Sequence, residues 1–431
     1  MGTIKVYKFG GASVKDAAGV RNILRVLKEL NTREVVIVIS AMGKMTNAFE
    51  SLVGSYFEEI DKAGKAEDMP DFADFKNLAE NIKKFHFKII TDLGFGTDSA
   101  LASQLQTVFE QLVNFLASNS SKQYDFVYDQ IVSFGEILST LICSAYLNEN
   151  NLENKWLDVR RCIRTNSDYR RARIDWEKTC ENINAEVDTS GVTLTQGFLG
   201  CDQQGFTTTL GREGSDYTAG VFAYCLNANE VSIFKDVPGV LNADPREFDD
   251  PELLNQISYK EAIEMAFFGA SVIHPKTLQP LQRREIPLRV RSFLHPKEKG
   301  TTVKKGIQIH PEIPCFIVKK KQILLSVSDE EFHFVMEEDI SEIFALLHLY
   351  KMKVNLIQNS AISFSVCIED NFDNFDQLFE ALKPKYKVLY NKDLTLFTVR
   401  HFNEKNLEEL EKGRTVLLKQ LSRETAQLVV K

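Results

Sequence analysis

Ile4-Lys5-Val6-Tyr7-Lys8-Phe9-Gly10-Gly11-Ala12-Ser13 opens the chain as an alternating, β-favouring run that two glycines break. Ser13 is placed to cap a helix whose apolar positions Val20, Ile23, Leu24 and Leu27 follow helical spacing. Asn31-Thr32 stops that helix, and Val35-Val36-Ile37-Val38-Ile39 follows as a strand of the fully buried type. A wholly apolar strand after a crossover helix belongs in a parallel sheet covered on both faces. The same alternation returns as an apolar helix over 137–147 and strands near 193–197 and 230–234. The fold class is α/β.

Outward from this core, residues 50–125 are mostly helical and charge-mixed, without a motif. A polar Pro/Gly connector, His295-Pro296-Lys297-Glu298-Lys299-Gly300, changes the texture and sets a boundary near 300. Beyond it the spacing predicts a strand over 322–328, a helix over 339–350 and strands over 354–357 and 362–368. A helix over 375–382, strands over 387–390 and 394–399, a helix over 404–420 and a terminal strand over 427–430 complete the order. Strands interleaved with helices, repeated about twice, fit a smaller, paired α+β module. Two domains are expected, 1–300 and 301–431.

The 431 residues carry 52 Lys and Arg against 60 Asp and Glu, a net charge of −8. An acidic chain is a poor sequence-independent binder of nucleic acid, although a local basic pocket for a small anion is compatible with it. The longest apolar run near the N-terminus is Val35 to Ile39, far short of a membrane span, and the first residues lack the apolar core of a signal peptide. The seven cysteines are odd in number and widely spaced, without a Cys-x-x-Cys. That pattern is neither a disulfide framework nor a zinc site, so reduced thiols in a cytoplasm are expected, with no membrane or nucleic-acid partner.

Several segments carry residue types suited to chemistry. Lys8-Phe9-Gly10-Gly11 ends a strand where bare N–H groups and an upstream lysine suit a phosphate; it serves equally as a tight turn with a solvated lysine. The lysine precedes the glycines, so this is not the P-loop pattern. Thr207-Thr208-Thr209-Leu210-Gly211-Arg212-Glu213-Gly214-Ser215-Asp216 puts hydroxyls, an arginine and an acid at a helix start. Arg212 there suits a carboxylate or phosphate, and Asp216 suits orienting a lysine, while Ser215 and Asp216 also suit plain capping. Ser133-Phe134-Gly135-Glu136 places an acid just before an apolar helix, and 234–246 is a turn-rich loop with Lys235, Asp236, Asp244 and Arg246. His274, before Pro275-Lys276, suits catalysis, packing or capping.

Taken together, these segments resemble the aspartate kinase family, the aspartokinase branch of the amino acid kinase fold. The matching stretches are KFGGASV at 8–14, SAMGKMTN at 40–47, SFGEILST at 133–140 and DVRRCIRTNSDYRRA at 158–172. TQGFLG at 195–200, TTTLGREGSDYTA at 207–219, DVPGVLNADPR at 236–246 and FGASVIHPKTL at 268–278 follow in the family's order. The long 207–219 run is highly specific, whereas the lysine–glycine start is not.

The resemblance implies a mainly parallel, helix-covered catalytic domain followed by a tandem ACT region. It also implies phosphorylation of the β-carboxylate of L-aspartate by ATP, with Mg2+ carried on the nucleotide and no fixed metal site. By the same resemblance Lys8 approaches the transferring phosphoryl group, Gly10 and Gly11 cradle its oxygens, and Ser40 and Thr46 line the amino acid site. Glu136 pairs with the substrate ammonium and Arg212 with its α-carboxylate. Asp216, with Ser215, organises Lys8, and Lys235, Asp236 and Arg246 lie where the family holds the nucleotide.

The chain departs from the family at Ala12, which replaces a threonine, at Leu241, where a tyrosine is common, and at Ser271, where a lysine is common. The strand 353–360 resembles the ACT strand that faces an amino acid inhibitor, so Asn355, Ile357 and Ser360 are the candidate contacts for lysine or threonine. Asn355 stands in place of a common aspartate. A homodimer or higher oligomer through the ACT modules is the family expectation. The length leaves no room for a fused homoserine dehydrogenase. A catalytically silent amino acid sensor on the same scaffold is the alternative.

Overall fold

A computed structural model describes residues 4–66, 72–270, 273–329 and 334–431. The chain divides into two compact units. The first comprises Met1–Val240, Leu253–Ile263 and Val272–Gln308; the second comprises Leu241–Glu252, Glu264–Ser271 and Ile309–Lys431. In chain order the first half runs β1 (Lys5–Phe9), α1 (Ala17–Glu29), β2 (Val35–Ile39), α2 (Met45–Ala66), α3 (Ala73–Asp92), α4 (Ala100–Ser118), α5 (Tyr124–Glu149) and β3 (Lys155–Leu157). Then come α6 (Trp176–Glu186), β4 (Val192–Gln196), β5 (Leu199–Cys201), β6 (Thr207–Thr209), α7 (Gly214–Leu226) and β7 (Glu230–Lys235). β8 (Gln256–Ser258), α8 (Tyr259–Phe268), α9 (Pro275–Arg284), β9 (Leu288–Ser292) and β10 (Thr301–Lys304) follow.

Eight strands form one sheet in the order β3-β4-β2-β1-β7-β9-β10-β8, parallel throughout except for the β9/β10 pair. β2 is buried along its whole length, as its apolar run requires in a sheet with two covered faces. β1 lies between β2 and β7, with Lys8 opposite Val38 on one side and Ile233 on the other. The strand order reverses here, and the crevice at the carboxyl ends of such strands is where open α/β sheets bind ligands.

Two local expectations are corrected. Asp16, not Ser13, caps α1: its side chain accepts from the Gly19 N–H at 2.8 Å, because residues 10–15 are used in the turn after β1. Glu136 lies inside a helix rather than before one, since α5 begins thirteen residues earlier than 137 and Gly135 is tolerated within it. A Cβ at Gly135 would stand 3.2 Å from the Ala41 Cβ and 3.3 Å from the Phe49 ring, so the glycine lets α5 approach the turn after β2. α5 is long and apolar enough by composition to cross a bilayer, yet 78% of its most apolar window is buried inside the protein.

The cysteine expectation is also overturned. Cys180 on α6 and Cys225 near the end of α7 form a disulfide with Cα atoms 4.8 Å apart. They are 45 residues apart in sequence, and only the packing of α6 on α7 brings them together. Cys143, Cys162, Cys201, Cys315 and Cys367 are buried and outside this bridge.

The second unit contains β11 (Cys315–Ser328), α10 (Glu337–Leu349), β12 (Lys353–Asn359), β13 (Ser363–Glu369), α11 (Phe375–Leu382), β14 (Lys387–Arg400), α12 (Glu404–Glu411), β15 (Val416–Leu421) and β16 (Thr425–Val430). Its six strands form an antiparallel, ACT-like sheet in the order β12-β13-β11-β14-β16-β15. Ile343, Leu347, Leu378 and Leu382 pack on one half of that sheet, and Leu407 and Leu410 on the other. The helix expected over 404–420 stops at Glu411. Gly413 has φ +75°, and Val416 to Leu421 then pairs with β16 as a strand. The two strands expected over 387–390 and 394–399 are one long strand with register shifts against β11.

Candidate active site

Parallel strands deliver their last residues to one edge of the sheet. β1 brings Lys8, the chain leaving β2 brings Ser40, and β7 ends on Lys235. These three line a cavity of about 470 Å³ together with Thr46 from the first turn of α2 and Glu136 from α5. Arg212, Ser215 and Asp216, at the start of α7, close the same cavity. Eight of the residues singled out from the sequence therefore meet in one place.

Lys8 is largely buried, and its Nζ pairs with Asp216 Oδ1 at 2.6 Å; Lys235 Nζ stands 3.9 Å from the other oxygen of the same carboxylate. Two ammonium groups share one carboxylate, which leaves a positive surplus on this side of the cavity. Gly10 has no Cβ to fill the space next to the Lys8 amine; one there would lie 3.3 Å from Nζ. A Cβ at Gly11 would stand 2.7 Å from the Ala41 carbonyl oxygen, so this glycine is fixed by the close approach of the turns after β1 and β2. Glu213, the N-cap of α7, makes no side-chain capping bond; the Gly214 N–H donates to the Gly211 carbonyl at 3.0 Å, which leaves the N–H groups of Ser215 and Asp216 to face an anion.

Glu136 is fully buried, and among the described residues its Oε2 has no hydrogen-bond partner. Burial pushes its pKa up to about 8, against the opposing pull of its own and the Ala41 backbone N–H. A buried carboxyl with an idle oxygen on a cavity wall is suited to accept a cation. Arg212 is exposed at the cavity rim. Ser215 enters the site because a Cβ at residue 197 would lie 2.4 Å from the Ser215 Cβ, and only Gly197 leaves that room.

Two nucleotide-contact candidates stand elsewhere. Asp236 is exposed just after β7, and Arg246, in the second unit, makes a two-pronged pair with Asp244. His274 caps α9, its ring nitrogen accepting from the Lys276 N–H at 3.2 Å. Ser271 lies outside the described residues. Among the effector candidates, Asn355 sits at a bulge in β12. It accepts from Lys319 Nζ at 2.8 Å and donates to the Gln322 amide oxygen at 2.7 Å. Ile357 is exposed on the same edge strand, and Ser360 is bonded to Ser363 in the turn that follows.

Sequence reading missed several supporting residues. Asp129, buried on α5, accepts from the Arg170 N–H at 3.1 and 3.0 Å and from Thr209 through N–H at 2.8 Å and hydroxyl at 2.7 Å. It thereby ties two cavity-lining residues to the helix that carries Glu136. Ser139 donates to the Ser40 carbonyl at 2.7 Å and pins the end of β2. A lone acid inside the apolar run 127–132 was the available signal for Asp129; Ser139 stood inside a quoted motif but carried no separate signal.

A strand-end cavity holding a lysine–aspartate–lysine cluster beside a helix start defines a class, and the family model described as the amino acid kinase family matches residues 3–292. The lysine-sensitive aspartokinase 3 of Escherichia coli (strain K12) is 32% identical over 379 residues, 86% of this chain and 79% of that one. The solved structure of E. coli aspartokinase III in complex with lysine and aspartate superimposes with a TM-score of 0.82 at 27% identity. The match covers 99% of this chain and 96% of that one. The same protein in complex with aspartate and ADP gives 0.78 at 26% identity over the same shares. The chain belongs to the aspartate kinase branch of the amino acid kinase family.

Proposed function

We propose that this chain transfers the γ-phosphoryl group of ATP to the β-carboxylate of L-aspartate, giving 4-phospho-L-aspartate and ADP. The observation that carries the reading is the meeting, in one cavity, of the Lys8–Asp216–Lys235 cluster with the Glu136 carboxyl, whose Oε2 is unpartnered among the described residues. An oxygen of the β-carboxylate forms the new bond to phosphorus while the bond to the β-phosphate oxygen breaks and ADP leaves. The attacking carboxylate is already ionised near neutrality, so no proton moves and no general base is needed. What the reaction requires is alignment of two anions and neutralisation of charge on the phosphoryl oxygens.

Each side chain then has a task. Glu136 takes the aspartate ammonium, Arg212 the α-carboxylate, and Ser40, Thr46 and Ser215 fix the remaining polar groups. Lys8, oriented by Asp216, faces the phosphoryl group, and Lys235 holds the nucleotide side with Asp236. Gly10 and Gly11 keep the phosphate approach open. Mg2+ enters with ATP as part of that substrate. Residues 1–300 are the catalytic domain in this reading, and 301–431 an ACT region that binds an amino acid effector, lysine or threonine, and joins subunits in a cytoplasmic homo-oligomer.

Incubating the protein with ATP, L-aspartate and hydroxylamine tests the reading, because an acyl phosphate is trapped as its hydroxamate. Aspartyl hydroxamate is the expected product, and its suppression by lysine or threonine names the effector. Amino acid binding without any hydroxamate would instead support a silent sensor.

A further inference from the structure

Arg170 lines the same cavity as Arg212 and Glu136, yet nothing in the reaction above uses it. Its backbone lies in the left-handed region, φ +65°, where glycine is at ease and an arginine is not. Asp129 holds that backbone by accepting its N–H, and the carbonyl of Arg170 would lie 3.1 Å from a Cβ at Gly211, a second left-handed residue of the cavity wall. A strained conformation kept by a buried carboxylate, for a long cationic side chain on a cavity wall, is a reason to look for work done by the side chain.

The guanidinium is poised but lightly held. Its carbon lies 4.2 Å from the centre of the Tyr128 ring and 5.7 Å from that of Tyr124, a stacking arrangement that suits the flat arginine head. Its acidic partners are Glu50 at 3.4 Å and Asp125 at 3.5 Å, both more exposed than the arginine itself. Exposed pairs at such distances hold an arginine weakly. Among the described residues, one of its five N–H donors makes a hydrogen bond, to Glu50, and that bond is long. Tyr128 and Glu136 lie two turns apart on α5, about 12 Å along the helix axis. A substrate whose ammonium rests on Glu136 is therefore faced by Arg170 from the Tyr128 side.

We infer that Arg170 is a specificity-determining residue of the amino acid site, sharing the α-carboxylate of the substrate with Arg212 through the planar donors left open above Tyr128. The inference rests on the kinase reading, and its test separates the two. Arg170→Gly suits the left-handed backbone and keeps the N–H that Asp129 accepts, so the variant is expected to fold at least as well as the wild type. Its KM for L-aspartate should rise about tenfold or more, the loss of a charge-assisted, two-pronged contact, with kcat and the KM for ATP little changed. The competitive Ki of β-alanine, which is aspartate without the α-carboxylate, should not move.

An unchanged aspartate KM overturns the inference. So does an equal shift in the β-alanine Ki, which would make Arg170 a support of the cavity rather than a ligand of the carboxylate. Arg170→Lys keeps the charge without the fork, and its aspartate KM should lie between the two; wild-type affinity in that variant also counts against the assignment. If the wild-type protein forms no hydroxamate, the kinase reading fails. Aspartate affinity read by calorimetry then decides the Arg170 assignment by the same shift in Kd.

Discussion

Glu136 couples a helix interior to the acid–base behaviour of the site. With its pKa pushed up to about 8 by burial, it holds a proton at neutral pH in the empty protein, and an incoming ammonium needs it ionised. The kcat/KM for aspartate should therefore climb with pH and level off above about 8, and Glu136→Gln should abolish that climb along with most of the affinity. A profile that is flat between pH 6 and 9 would remove Glu136 from ammonium binding. Stability runs the opposite way. A carboxyl whose pKa rises on folding favours the folded chain fully below its ordinary 4.5, and that contribution is lost as pH rises through about 8. Wild-type protein without aspartate should melt lower at pH 9 than at pH 6, and Glu136→Gln should narrow the gap. Lys8 offers a simpler case: Lys8→Ala should cut turnover by about 10²–10³-fold or more, since it removes a positioned cation from the phosphoryl group. The fold should survive, because Asp216 keeps Lys235 as a partner. Near-normal hydroxamate rates in that variant would take Lys8 out of the mechanism.

Helices and strands were legible where their pattern is local. β1, β2 and the lysine–glycine turn follow from alternation, an apolar run and two glycines, and the structure has them at the expected places. Glu136 was legible as a site residue but not as a mid-helix one, because Gly135 reads as a breaker until the Ala41 and Phe49 contacts that require it are seen. The tail of the chain misled for a related reason. Val416-Leu417-Leu418 suits a helix by propensity, and pairing with β16 makes it a strand instead. The Cys180–Cys225 bridge was illegible altogether, since spacing says nothing about which helices pack. It ties α6 to the helix that begins with Ser215 and Asp216. Closing a loop of this size is worth up to about 4 kcal/mol by the chain-entropy argument. Thiol titration in denaturant should find five reactive groups per chain before reduction and seven after it, and reduction should lower the melting temperature. Seven groups without reductant would show the bridge absent.

For the molecule as a whole, the antiparallel sheet of the second unit ends in two edge strands, β12 and β15. β12 presents Ile357, 42% exposed, and an unpaired strand edge of this kind is a template for a second copy. The native protein should run at a multiple of 49.0 kDa in light scattering, and Ile357→Lys should shift it to the monomer while hydroxamate formation persists. A wild-type monomer would refute assembly through this unit. A different consequence follows from α5, the apolar helix at the heart of the first unit. During synthesis it leaves the ribosome after α2 and α4, which pack on it, but before β4 and β6, which complete its cover, and before Thr209, the last partner of its buried Asp129. For about sixty residues of further synthesis the nascent chain carries a segment with the hydropathy of a membrane span whose cover is still incomplete. Fragments that end between α5 and β6 should accordingly be clients of chaperones, or stray into lipid, in a way the finished protein is not.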